Sequence, residues 1–264
     1  MVGYSWWMTL SGFTRRRLLL TAGSGVLGVA IVNTVSACSS SQEETGTAAP
    51  AAQSTTTTTT TTTTASADAA VAGDWRRVNL SFVSAYLLVR GSEVAVVDLG
   101  TEGSAAAIEA GLKAAGTGWD AVKHVILTHQ HGDHVGGLAG VAPLVSASLY
   151  AGTADVAAIT SAKQLKAIDD GDEVFGLQII GTPGHTAGHV SVFDPSTGVL
   201  VAGDALRTTD GLASSDPAHT ADPAQASASV RKLAALKVRT ILPGHGDPLT
   251  TGAAEALQKL AASL

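Results

Sequence analysis

The chain has 264 residues, with 16 Lys+Arg against 22 Asp+Glu, a net charge of −6 and one cysteine. That length suits one or two domains. A lone thiol excludes an internal disulfide, and the stretch from residue 73 onward, acidic and without a basic or aromatic-plus-basic run, argues against a nucleic acid partner. In chain order, the first 72 residues do not read as a packed core. Arg15, Arg16 and Arg17 precede an apolar run from Leu18 to about Val32, followed by "VSACSSS". A basic cluster, an apolar segment and small residues form a secretory signal.

Within that signal, "TRRRLLL" (Thr14 to Leu20) resembles a twin-arginine export motif. "VSAC" (Val35 to Cys38) resembles a bacterial lipobox, which implies cleavage before Cys38 and lipid attachment to it, because the only cysteine stands at the one position a lipobox demands. Residues 1–38 are therefore expected to be a lipoprotein signal peptide, with the rest held on the outer face of the cytoplasmic membrane. The alternative is a retained anchor, since Leu18 to Ala37 is about long enough to span a bilayer. Residues 39–72, with unbroken threonine from Thr55 to Thr64, carry too little apolar surface to offset their ordering entropy and are expected to be a disordered tether.

Residues 73–264 are expected to form one domain. "VNLSFVSAYLLV" and "EVAVVDLG" are β-rich runs joined by a hairpin at Arg90, Gly91 and Ser92. An Ala-rich helix is predicted from Ser104 to Ala115, with Ile108 and Leu112 one turn apart. "KHVILT" reads as a short buried strand and "SLYA" as another, followed by a helix near Thr153 to Ser161. "EVFGLQII" alternates like a half-buried strand. "VSVFD" and "VLVAGD" form a second hairpin around Pro195 to Gly198. A helix from Pro223 to Leu236, a strand in "VRTILPGHG" and a helix from Gly252 to Ala262 complete the domain. Hairpins mixed with strand–helix alternation predict a layered α/β fold.

Four apolar strands end in metal-binding residue types: His129, His131, Asp133 and His134 after "VILT", His185 after "LQIIGTPG", Asp204 after "VLVAG" and His245 after "TILPG". Each end sits beside glycine (Gly132, Gly184, Gly203, Gly244 and Gly246), which admits close backbone approach. Five imidazoles packed together need partners when neutral and repel when charged. A single ion takes three or four protein ligands, so seven donors suit two ions better than one.

"THQHGDH" resembles the His-x-His-x-Asp-His signature of the metallo-β-lactamase superfamily. "TPGHTAGH", "AGDAL" and "PGHG" follow in the family's order, and "VVDLG" resembles its early strand. The resemblance implies an αββα four-layer sandwich with metals at one edge. It implies one ion on His129, His131 and His185, a second on Asp133, His134 and His245, and Asp204 bridging them. Nitrogen and oxygen donors make two zinc ions the default, with iron or manganese also compatible. The implied chemistry is attack by a metal-bridging hydroxide on a carbonyl, with Asp133 orienting it and shuttling the proton. Asp98 and Thr182 are candidates to accept the free N–H groups of the ligand imidazoles. His124 and His189 are expected to be structural.

Asp204 stands where true β-lactamases of this fold carry cysteine or serine, which favours the thioesterase and lactonase branches, such as glyoxalase II. The short stretch after His245 lacks the helical extension with which glyoxalase II binds glutathione, and the diiron oxygen-reducing branch has glutamate at the position of His131. The expectation is a hydrolase of a small ester, thioester, lactone or lactam. A mononuclear-iron sulfur dioxygenase-like oxidoreductase, a true β-lactamase and a non-catalytic metal-binding lipoprotein are the alternatives. Arg207 and His219 in the loop after Asp204, and Tyr150, are candidate substrate contacts. The sequence does not fix the substrate or the oligomeric state.

Overall fold

A computed structural model describes residues 67–264. The expected signal peptide, Cys38 and the tether as far as residue 66 lie outside the described residues. The first sheet contains β1 (Ala67–Ala72), β2 (Trp75–Leu80), β3 (Val83–Arg90) and β4 (Glu93–Val97). Helix α1 (Ala105–Ala114) then leads to β5 (Val122–Leu127), the short helices α2 (Gly132–Val135) and α3 (Leu138–Val141), β6 (Ser148–Gly152) and β7 (Leu165–Ile168). The strands lie in sequence order, antiparallel from β1 to β4 and parallel from β4 to β7.

The second sheet begins with β8 (Glu173–Val174), β9 (Leu177–Gly181), β10 (Val190–Asp194) and β11 (Val199–Gly203). A two-stranded ribbon, β12 (Leu206–Arg207) and β13 (Ala213–Ser214), precedes α4 (Pro223–Ala234), β14 (Thr240–Pro243) and α5 (Ala253–Ser263). Its order is β14-β11-β10-β9-β8, with β14 parallel to β11 because α4 supplies the crossover.

Strand alternation divides the apolar residues into three interiors. Leu88, Val97 and Ile126 of the first sheet face Ile179, Val192, Val201 and Leu242 of the second, forming the centre. Leu87, Val96, Val125 and Leu127 point outward under Ile108 and Leu112 of α1 and Leu138 of α3. Phe193, Leu200 and Ile241 point the other way, under Val230 and Leu233 of α4 and Leu257 of α5. Helices cover both outer faces, so the layers run αββα as expected. Each fully buried Leu or Ile removes apolar area worth roughly 1.5–3 kcal/mol from water.

The structure corrects four local expectations. The domain begins before residue 73: Ala67–Ala72, assigned to the tether, pair antiparallel with β2, because an exposed sheet edge accepts a small-residue strand through its backbone alone. "VNLSFVSAYLLV" is two strands folded about Ser81, whose φ of 77° reverses the chain. "EVFGLQII" is likewise two strands, joined by Phe175 and Gly176 with φ of 57° and 73°, the backbone a two-residue hairpin turn requires. The helix expected near Thr153 to Ser161 is only a 3-10 turn at Val156–Ala158. Asp155 stands at its cap position but makes no cap hydrogen bond, because its carboxylate is committed elsewhere.

Candidate metal centre

The C-terminal ends of β4, β5, β9, β11 and β14 meet at one edge of the sandwich, where parallel strands deliver their next residues side by side. Asp98 follows β4, His129 to His134 follow β5, His185 follows β9, Asp204 follows β11 and His245 follows β14. Their donor atoms converge in three overlapping groups: His129, His131 and His185; His129, His134 and Asp204; and Asp133, His134 and His245. Within each, the donor atoms lie within 4.8 Å of one another. All seven residues singled out in the sequence therefore meet in one place.

Hydrogen bonding fixes which atom of each ring faces inward. Thr128 Oγ1 donates to Asp98 Oδ2 (2.8 Å), so at 3.0 Å from His129 it accepts from Nδ1–H and leaves Nε2 bare. Thr220 donates to the Asp216 carbonyl, so Ser215 donates to Thr220 and accepts from His185 Nδ1–H at 2.8 Å. His134 Nδ1 donates to Asp98 Oδ2 (2.8 Å), and His245 Nδ1 donates to the Phe82 carbonyl (2.8 Å). Four imidazoles thus turn Nε2 inward.

The consequence is a set of donors that do not satisfy one another. His131 Nδ1 lies 3.1 Å from His129 Nε2 and 2.9 Å from His185 Nε2. One proton on His131 can serve only one of these two lone pairs. His134 Nε2 and Asp204 Oδ1, 3.1 Å apart, are buried with no hydrogen-bond partner. Buried polar atoms without a partner are costly in a native fold. A cation coordinated by them removes that cost, so the donor set fits a metal. Gly244 preserves the space: a Cβ there would stand 2.3 Å from Asp204 Oδ1 and 2.7 Å from His134 Cε1. At Gly132, by contrast, nothing lies within 4 Å, and the structure offers no reason for that glycine.

Asp204 is the common member. Its Oδ2 lies 3.2 Å from His245 Nε2, 3.3 Å from His185 Nε2 and 4.0 Å from His129 Nε2, while Oδ1 faces His134. Asp133 Oδ2 lies 3.3 Å from His245 Nε2 and 3.7 Å from His134 Nε2. The electrostatics split the rings into two kinds. Burial pushes His129 well below its ordinary range and His185 down to about 4. Burial also acts against charge on His134, but the Asp98 and Asp204 carboxylates outweigh it and raise it well above 6.5. Hydrogen bonds to Asp133 and Asp204 raise His245 to about 10. The reciprocal bond from His245 holds Asp133 down. Burial alone would raise Asp204, yet His134 and His245 hold it well below the carboxylate range.

Asp98 accepts from both His134 Nδ1 and Thr128 Oγ1 through its Oδ2. It adopts φ of 61°, a left-handed backbone uncommon outside glycine, and from there it also accepts the Thr128 N–H (2.8 Å). Thr182 does not hold a ligand ring. Its hydroxyl meets His189 Nδ1 at 2.7 Å, because β9 pairs with β10 and brings residues 182 and 189 together at its end. Tyr150 is not at the site either: mid-strand in β6, it packs between the sheets beside His124 (ring centroids 6.1 Å apart). His124 also stacks on Phe175, with ring centroids 4.9 Å apart.

Three supports were not foreseen. Buried Asp155 accepts from Gln130 N–H (3.0 Å), Thr186 Oγ1 (2.6 Å) and Gly188 N–H (2.7 Å), tying the His129–His134 loop to the His185 loop. Arg77, buried on β2, donates to Ser84 Oγ, Asp247 Oδ1 and the Gly246 carbonyl, each at 2.9 Å, and so holds the turn carrying His245. Phe82, 60% exposed, lies parallel to the His245 ring with centroids 6.1 Å apart. The donors open into a groove of about 450 Å³ lined by Phe82, His131, Asp133, Arg207, His219 and His245 among others. Arg207 and His219 both line this groove, and Arg207 Nε is buried without a hydrogen-bond partner among the described residues.

Comparison with known proteins agrees with this geometry. The family model described as the metallo-beta-lactamase superfamily matches residues 78–245. A hydroxyacylglutathione hydrolase of Pseudomonas putida is 36% identical over 152 residues, 55% of this chain and 54% of that protein. The chain thus spans about half the length of that relative. An uncharacterized Bacillus subtilis protein, YobT, is 30% identical over 183 residues, 61% of this chain and 77% of its own length. Among solved structures, a metallo-beta-lactamase family protein of Thermus thermophilus matches with a TM-score of 0.55 at 26% identity, covering 69% of this chain and 74% of that one. The metallo-beta-lactamase SMB-1, in a complex with mercaptoacetic acid, shares the fold at a TM-score of 0.59 and 21% identity, covering 74% of this chain and 92% of its own. From its donor set, its layers and its matched motifs, this chain belongs to the metallo-beta-lactamase superfamily.

Proposed function

We propose that the protein is a hydrolase that holds two zinc ions and cleaves a small ester, thioester, lactone or lactam. The observation that carries this reading is the convergence of seven metal-binding side chains on one groove edge, with His134 Nε2 and Asp204 Oδ1 buried there without a hydrogen-bond partner. His129, His131 and His185 would hold one ion, Asp133, His134 and His245 the other, and Asp204 both. A bound pair of divalent cations supplies an acidified water, its pKa lowered towards ~7, and a polarised carbonyl.

The chain's own residues do the rest. Asp133, half-buried at the groove wall, is placed to orient the attacking water and to pass its proton to the departing oxygen, nitrogen or sulfur. Phe82 gives the groove an apolar wall beside His245, and Arg207 and His219 face the substrate from the opposite loop. Aspartate at 204 and the hydroxyacylglutathione hydrolase relatives favour an ester or thioester over a β-lactam. Full-length zinc-loaded protein is to be assayed against chromogenic esters, thioesters, lactones and a cephalosporin. The expected result is turnover of a thioester, ester or lactone that a chelator abolishes and zinc restores. Absence of turnover across the panel, or oxygen uptake with one iron per chain, overturns the proposal.

The proposal extends to location: an enzyme tethered through lipidated Cys38 to the outer face of the cytoplasmic membrane, supported by "TRRRLLL" and "VSAC". Cys38→Ala is expected to move the protein from the membrane fraction to the soluble one. Unchanged fractionation contradicts the tether.

A further inference from the structure

His189 lies four residues beyond the candidate ligand His185 and is almost wholly buried. Its ring stands in a directed chain of four hydrogen bonds. Ser191 Oγ donates to the Ala202 carbonyl at 3.0 Å, so its oxygen accepts from the Thr182 hydroxyl, also at 3.0 Å. Thr182, its proton spent on Ser191, accepts from His189 Nδ1–H at 2.7 Å. The far nitrogen, His189 Nε2, then has only a lone pair to offer, and the Asp204 backbone N–H donates to it at 3.0 Å. Every proton is used once, and the tautomer is fixed from both ends. Gly203, with φ of 52°, lets the backbone come this close: a Cβ there would lie 2.8 Å from His189 Nε2.

We infer that His189 is a positioning residue: through its Nε2 acceptor it sets the backbone of Asp204 and hence the aim of the carboxylate shared by both trios. The inference rests on the reading of Asp204 as a metal ligand. Asp204 follows the last residue of β11, where the ladder to β14 is irregular between Val201 and Gly203. A backbone leaving the ladder needs another partner for its N–H, and His189 provides it. Neither Thr182 nor His189 hydrogen-bonds to the converging donor atoms; the His189 ring does pack beside those of His129 and His185, with centroids 5.1 and 6.0 Å apart, so the acceptor has to be separated from the bulk by substitution.

The test compares two substitutions of similar bulk in the full chain. His189→Gln offers an amide oxygen where Nε2 stands, whereas His189→Leu fills the volume without an acceptor. Zinc affinity, measured by competition with a chromophoric chelator, is expected to fall about 10–100-fold in His189→Leu, the range typical of partners that orient ligands, and to stay within a few-fold of wild type in His189→Gln. A residue that only fills the core gives the opposite order, with Leu tolerated as well as or better than Gln, and that order overturns the inference. Long-range proton–nitrogen NMR of the wild-type protein, before zinc is added, is expected to show His189 protonated at Nδ1; protonation at Nε2 overturns it too. If wild-type protein binds no zinc, the reading of Asp204 as a ligand fails as well. Zinc binding with equal affinities in both variants defeats the role of His189 alone.

Discussion

The two trios of donors are built from the same residue types yet are prepared differently. His129 and His185 are held neutral because burial outweighs the nearby Asp204 carboxylate, and their lone pairs are already aimed. His134 and His245 sit between carboxylates and hold protons up to high pH. One trio is thus ready for a cation, while the other is ion-paired and exchanges protons for it. The lesson is that burial and carboxylate placement, not ligand identity alone, decide how a site binds. Asp204 links the two, and breaking it gives the largest expected effect. Asp204→Ala is expected to weaken both cations by more than the ~100-fold attributable to an orienting partner, read by metal analysis after dialysis.

Asp133 separates the trios. Asp133→Ala is expected to lower kcat about 10²–10⁴-fold, the worth of a positioned proton-transfer group, while the three-histidine trio retains one cation. Complete metal loss in this variant would deny that the trios are distinguishable. A smaller effect follows from pH. A cation at the trio with His134 and His245 displaces protons from raised groups, so its affinity is expected to fall as pH is lowered from 8 to 6, by ~10-fold per unit for each proton displaced. At the three-histidine trio, where burial lowers His129 and brings His185 down to about 4, the fall over that range should be less steep. Zinc titrations at several pH values check both slopes; equal slopes erase the distinction.

The same values give the pH stability of metal-stripped protein. His189, lowered by burial to about 3, takes up a proton more readily when unfolded. Its contribution is therefore full above about 6.5 and is lost as pH falls towards 3. His245, raised to about 10, contributes fully below about 6.5 and loses that contribution as pH rises through 10. Denaturant melts across pH should decline on both sides of neutrality. The smallest effect is at Arg77: Arg77→Met leaves the Gly246 carbonyl without its donor and should cost about 1–3 kcal/mol, with a weaker hold on His245.

Much of this was legible in the sequence because each ligand follows an apolar run, and strands that run parallel in one sheet end at one edge. His129, His185, Asp204 and His245 could be placed together on that ground. The supports were hidden for a physical reason. Asp155 and Arg77 bond mainly to backbone or side-chain atoms 25 to 170 residues away in the chain, and nothing local marks a charged residue as buried. Thr182 meets His189 and not a ligand ring: two rings, His185 and His189, share that loop, and only the ladder between β9 and β10 decides which one it meets. The helix expected at Thr153 to Ser161 failed because Asp155, the natural cap, is spent on three distant donors.

The most direct measurement is equilibrium dialysis of the purified full-length chain against buffered zinc, followed by elemental analysis. Two zinc ions per folded chain are expected, with only one retained in Asp133→Ala. A folded wild-type chain that binds no zinc at saturating concentration contradicts the account.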